Sequence, residues 1–331
     1  MNTTSSSTVG TSQTGISAHP SSDPHQQRLL ATGPLTSEGG RALVLGGGGS
    51  TGNAWLIGVI AGLYGSGLDV TTPDLIVGTS AGSTAAAQLA ASSPAELFAA
   101  AVAPVPEAQR RPTAAGSDRG RPVAVSSHLA RMNHIISSSN DAADMRRRMG
   151  AAAMESNAAA DDSWQPKWRA VVASRLPDQR WPDGQVLITA VDAETGEPAV
   201  FDRGSGVELV DAVAASCSSS RPYRIGTNWY VDGGYRSNAE NADLAAGCGR
   251  VLVLSPFGGR SLQPVEWGMH LATQVEALRA GGSRVETIYP GPDAEHLFGA
   301  NAMDISLRPA AAQAGYDQGT VLAGRLGEFW R

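Results

Sequence analysis

From Ala42 to Leu68 the chain runs for 27 residues without a charged side chain, and nine of those positions are glycine, four of them consecutive. A charge-free stretch of that length suits either a membrane span or a strand and helix buried on all sides in a parallel α/β protein. Four adjacent glycines, with Ser50, Thr51 and Asn53 alongside, would serve a lipid-exposed helix poorly. The same residues divide naturally into a buried strand, ALVL (42–45), a tight turn, GGGGSTG (46–52), and a helix, AWLIGVIAGLYG (54–65). The expectation is an α/β layer.

The pattern repeats at once. DLIVG (74–78) reads as a second strand, TSAGS (79–83) as a turn and TAAAQLAAS (84–92) as a helix of small residues. Two strand–turn–helix units at this spacing imply parallel strands joined by a right-handed crossover. Residues 94–180 then change character, with Arg/Ala-rich helical segments such as AADMRRRMGAAAMES and a loop expected at RPTAAGSDRGRP (111–122). The α/β rhythm resumes with strands QVLITAVD (185–192) and PAVFD (198–202) about a hairpin-like turn, and a helix VELVDAVAAS (207–216). It continues with strands NWYVDGG (228–234), RVLVLSP (250–256) and RVETIYPG (284–291), and helices over 265–281 and the final twenty-odd residues. The reading is one α/β domain over 40–331, interrupted by a helical insert at about 94–180 and preceded by a disordered Ser/Thr-rich tail over 1–39.

Composition bounds the function. With 42% apolar residues in 331, the chain has enough to bury a large core. Its net charge of −6 argues against a nucleic-acid partner, and Lys167 is its one lysine. Charge is unevenly placed: residues 101–180 hold 12 Lys/Arg against 8 Asp/Glu, a local +4. The first residues show neither a basic start nor an apolar block, so a cytoplasmic location is expected. The two cysteines, Cys217 and Cys248, stand in no redox or metal-binding spacing and read as small buried residues. Neither a metal nor a cofactor is expected.

Three motifs carry chemistry. GTSAG (78–82) has the G-x-S-x-G form directly after an apolar strand and before a helix. That context presents Ser80 on a sharp turn at the carboxyl edge of the sheet, facing a helix amino end. GGGGSTG satisfies the spacing of a dinucleotide fingerprint, yet the acidic residue which that motif requires after its second strand is missing. Consecutive glycines at a helix start also expose backbone N–H groups to a developing oxyanion, and this reading is preferred. VDGG (231–234) is by itself an Asp-Gly turn. It also places Asp232 at the end of another strand as a candidate base for Ser80.

A histidine-dependent triad stays open at this point. His19 and His25 fall in the tail, His128 and His134 in the insert, and His270 in an expected helix. His296 alone lies in a loop downstream of the acids, giving the order Ser80, Asp232, His296. Nothing around His296 marks it for catalysis. A non-catalytic lipid- or nucleotide-binding protein is the other alternative.

Taken in order, GGGGSTG, GTSAG and the distant VDGG resemble the patatin-like phospholipase family. The resemblance extends through ITAVDAETGEP (188–198) and DAVAASCSSSRPYRIGTNWYVDGGYRSN (211–238). It implies a three-layer α/β/α sandwich with a mainly parallel central sheet. It implies a serine acyl hydrolase that cleaves lipid acyl esters through a covalent acyl-enzyme, with Ser80 as nucleophile, Asp232 as base and no catalytic histidine. The N–H groups of Gly47, Gly48 and Gly49 would form the oxyanion hole. Two departures stand out: Thr51 occupies a position where the family often carries Arg or Lys, and SSSRPYRI (218–225) replaces the usual Ile-Pro-x-x-Phe-Pro-Pro. The insert is the expected lid. Its Arg146, Arg147 and Arg148 either touch anionic membrane lipid at the periphery or form a solvated helix face.

Overall fold

A computed structural model of the chain describes Met1 and residues 39–104, 121–158 and 163–331. The tail expected over 1–39 and the loop expected over 111–122 lie almost wholly outside these residues. Eight strands form one sheet: β1 (Arg41–Leu45), β2 (Leu75–Gly78), β3 (Gln185–Asp192), β4 (Pro198–Phe201), β5 (Tyr223–Ile225), β6 (Asn228–Asp232), β7 (Arg250–Leu254) and β8 (Arg284–Ile288). Their order is β5-β6-β3-β2-β1-β7-β8, with β4 paired to β3. From β3 to β8 the ladder is parallel; β4, β5 and β6 are antiparallel additions. β5 is a strand the sequence reading did not anticipate.

Alternation along the central strands divides the core into two layers. Leu43 and Leu45 of β1 face a cluster built from α1 (Gly49–Gly65), α2 (Ala81–Leu89), α7 (Leu209–Ser216) and α9 (Arg308–Trp330). Ala42 and Val44 face the opposite way, onto Leu271, Val275 and Leu278 of α8 (Leu271–Ala280) and the short 3₁₀ turn at Ala242–Ala245. The sheet therefore carries helices on both faces. The charge-free run is β1, a three-glycine connection and α1, whose residues 51–63 are buried throughout. Among the described residues no helix is long and apolar enough to cross a membrane.

The segment between β2 and β3 is helical but divided in its allegiance. α3 (Pro94–Val102) begins with a capping box between Ser93 and Glu96 and packs on the body, where Phe98 stacks on Tyr316 at 4.5 Å. α6 (Trp164–Ala173) likewise buries Val172 in the main core. α4 (Arg121–Ser138) and α5 (Ala142–Ala158) form a separate apolar cluster, in which Ile135, Met145 and Met149 pack on Val191 of β3 and Val231 of β6. Arg146 turns inward, donating to the carbonyls of Gly196 (2.8 Å) and Arg236 (3.2 Å). Arg147 and Arg148 flank Asp144 at 3.6 and 3.0 Å. Arg146 thus ties α5 to the body and is not a free cation for lipid, while Arg147 and Arg148 pair within their own helix.

α1 and α9 meet backbone to backbone. An atom in the Cβ position of Gly62 would stand 2.1 Å from the Tyr316 carbonyl oxygen, and one at Gly319 2.2 Å from the Val59 carbonyl oxygen. Even one methyl group here collides with a carbonyl rather than a movable side chain. Gly62→Ala therefore destabilises by about 3 kcal/mol or more. Gly324→Ala, on the same α9 but with nothing within 4 Å of its Cβ position, stabilises by up to about 1 kcal/mol through helix propensity. Urea unfolding of both variants checks the contrast; equal effects would contradict this packing.

Candidate active site

Sheet register brings the motifs together. β2 runs parallel to β3 and leaves it where Gly78 pairs Ile188. β6 runs antiparallel to β3 and leaves it where Asp232 pairs Ala190. The carboxyl ends of the two strands therefore converge on the level of Thr189. Ser80 and Asp232, 152 positions apart, meet there: Ser80 Oγ donates to Asp232 Oδ2 at 2.9 Å, with no imidazole between them.

Ser80 is held on a strained turn. Its φ of 52° and ψ of −114° lie where non-glycine residues are rare. The turn is stabilised by α2, whose Ser83 and Thr84 N–H groups donate to the Ser80 carbonyl. The Ser80 N–H donates to Ser216 Oγ at 2.9 Å. Gly82 is required by close approach, because its Cβ would lie 1.8 Å from the Leu45 carbonyl oxygen. Cys217, at the end of α7, bonds the Ser80 carbonyl at 3.2 Å, and burial pushes its thiol above the ordinary range. It is a packing partner of the turn rather than a competing nucleophile.

Asp232 is 8% exposed. Its N–H donates to the Ser218 carbonyl, and its Oδ1 accepts the Gly234 N–H, both at 2.9 Å. Burial raises its carboxyl from 3.8 to about 6, against the opposing pull of the Gly234 and Ser80 hydrogen bonds. A second buried acid, Glu240, lies under the glycine loop, where Ser255 Oγ donates to it at 2.6 Å; burial pushes its carboxyl up to about 7.

The glycine loop abuts the pair, with a Cβ position at Gly47 standing 3.6 Å from Ser80 Cβ. Its N–H groups are not equivalent. Gly46 donates to the Leu254 carbonyl, Gly47 to the Ala239 carbonyl at 2.8 Å, and Thr51 to the Ala302 carbonyl at 3.0 Å. Gly48 and Gly49, at the amino end of α1, donate to no described residue. Of the three glycines expected as donors, these two remain open to an anion while Gly47 is engaged. Thr51 is fully buried and brings no cation to the loop.

His296 sits exposed in a 3₁₀ turn (Pro292–Leu297), and His270 contacts the Gln263 carbonyl at 2.7 Å. His134 is exposed on α4; His19 and His25 lie outside the described residues, as does the side chain of His128. No described histidine ring contacts Ser80 or Asp232. Among the described residues no group of three His, Cys, Asp or Glu could hold a metal. A cleft of about 260 Å³, which neither Ser80 nor Asp232 lines, opens between α4, α5 and the loop after α7, with Met132, Ile135, Met149, Arg221 and Tyr235 among its walls. Ser219, Ser220 and Arg221 of the SSSRPYRI stretch (218–225) also line it.

Sequence reasoning missed the residues beneath the pair. Thr79, Thr189 and Asn241 are all fully buried and joined by hydrogen bonds. Ordinary Thr and Asn in mixed segments give no local signal of that.

No curated protein matches the chain. Among solved structures, VipD from Legionella pneumophila is similar at 12% identity and a TM-score of 0.37, over 88% of this chain and 67% of that one. The family model for patatin-like phospholipases matches residues 43–244, more than half of the chain, spanning the glycine loop, Ser80 and Asp232. The chain belongs to the patatin-like phospholipase family.

Proposed function

We propose that this protein is a serine acyl hydrolase that cleaves lipid acyl esters with a Ser80–Asp232 dyad. The observation that supports this best is the direct 2.9 Å hydrogen bond between a strained, half-buried serine and a buried carboxylate beside two unpartnered glycine N–H groups. Ser80 Oγ attacks the acyl carbonyl and passes its proton to Asp232, while Gly48 and Gly49 donate to the oxyanion. Collapse expels the alcohol, which regains that proton from Asp232. Water, deprotonated by the same carboxylate, then releases the fatty acid. The apolar wall of the cleft supplied by α4 and α5 suits the acyl chain.

A carboxylate near 6 is a far better base than one near 3.8, yet still ionised at neutral pH. The value of kcat/KM therefore falls below about pH 6. On a short-chain nitrophenyl ester, Ser80→Ala and Asp232→Asn each lower kcat by at least about 10³-fold, and His296→Ala leaves it unchanged. A fluorophosphonate probe labels the Ser80 peptide. Full activity in Ser80→Ala, or loss in His296→Ala, overturns the reading.

The same carboxyl burdens the fold. Its folded value lies above its unfolded one, so its contribution is most favourable below 3.8 and is lost as pH rises through 6. Asp232→Asn accordingly stabilises at pH 8 by up to about 3 kcal/mol. Urea unfolding should show the gain shrinking as pH is lowered from 8 toward 4; a pH-independent difference would be inconsistent with a desolvated carboxylate.

A further inference from the structure

Beneath the dyad, one buried side chain ties together the two loops that carry it. Asn241 is fully buried, in left-handed backbone with φ 56°. Its Nδ2 donates to Thr79 Oγ1 and to the Gly233 carbonyl, each at 3.0 Å, with Thr189 Oγ1 at 3.4 Å. Thr79 precedes Ser80, and Gly233 follows Asp232. The two amide protons are thus spent on the two loops. The other end of the amide is fixed as well. Its Oδ1 accepts from Arg236 Nη1 at 3.1 Å, and Arg236 is clamped by a two-point pair with Asp243 at 2.9 and 2.8 Å.

We propose that Asn241 is a positioning residue, setting the distance between Ser80 and Asp232 by bridging the Thr79 hydroxyl to the Gly233 carbonyl. It rests on the dyad reading above. Its hydrogen bonds go to the residues flanking the dyad rather than to Ser80 Oγ or the Asp232 carboxylate. Thr79 and Thr189 share a 2.9 Å bond of their own, so both hydroxyls are held in place when the amide arrives. A buried amide of this kind resists displacement, because leaving its N–H groups unpaired is costly away from water. A displacement of about 1 Å at a reacting pair lowers rates roughly 10²-fold.

The test uses the full chain and reads kcat, KM and the pH profile on a nitrophenyl ester, together with thermal melting. The groups facing Asp232 are the Ser80 hydroxyl, the Gly234 N–H, the Cys217 thiol and the Tyr235 phenol. Of these, the Ser80 hydroxyl and the Gly234 N–H lower the carboxyl's value. Moving Ser80 away therefore shifts the acid limb of kcat/KM to higher pH, a change that a merely less stable but correctly assembled enzyme would not show. Asn241→Ala is expected to lower kcat about 10²-fold with KM within about twofold and the acid limb raised. Thr79→Val, close in shape but without the hydroxyl, shifts both in the same direction, and Thr79→Ser restores them. If Asn241→Ala fails to fold, the Thr79 pair decides. Wild-type kcat and an unmoved acid limb in Thr79→Val, or a loss that Thr79→Ser does not restore, overturns the proposal. With Ser80→Ala inactive, that result removes the positioning role alone; an active Ser80→Ala removes the dyad reading itself.

Discussion

The pairing of two oppositely directed strands with a third is the constraint on which the site depends. β2 climbs β3 and ends at Ile188; β6 descends it and ends at Ala190. Strand register is strongly specified wherever a face is buried, since a slip of one residue turns every side chain to the other layer. The 2.9 Å approach of Ser80 to Asp232 is therefore enforced by the packing of Leu, Ile and Val in the strands, not by those two residues alone. Ser80 carries backbone strain and Asp232 an unfavourable buried charge, which the surrounding core sustains.

Much of this was legible in the residues, and the reasons differ by element. Buried parallel strands such as ALVL and RVLVL announce themselves because neither face tolerates a charge. The two turns were legible for a different reason: glycine spacing marks where backbone must approach backbone, as at Gly82 against Leu45. Helix limits were less legible. α1 begins at Gly49 rather than at Ala54: the Thr51 N–H is taken by the distant Ala302 carbonyl, a tertiary contact that no local propensity records. The helix expected over 265–281 is broken by Gly268 in left-handed backbone, leaving α8 to start at Leu271.

In the candidate site the meeting of Ser80 and Asp232 was legible, because both sit at strand ends inside glycine turns. Its donors and supports were not. Whether a glycine N–H is open depends on which carbonyl arrives from elsewhere in the chain; Ala239 reaches Gly47, and nothing described reaches Gly48 or Gly49. Asn241 draws its meaning from partners at positions 79, 189 and 233, three separate segments. The insert's arginines show the same limit: a run of three reads as one charged face, yet Arg146 is turned into the protein by the carbonyls of Gly196 and Arg236.

The last eighty residues hold the loop that opens the domain. β7 pairs β1, Leu254 receives the Gly46 N–H, Ala302 receives that of Thr51, and Arg308 Nη1 donates to the Ser50 carbonyl at 2.9 Å. All of these lie beyond residue 244, where the match to the family ends. As the polypeptide emerges from the ribosome amino end first, the Ser80 turn and Asp232 are made well before the segments that hold the glycine loop. The glycine loop is therefore completed late in biosynthesis, once the segments beyond residue 244 have docked on it.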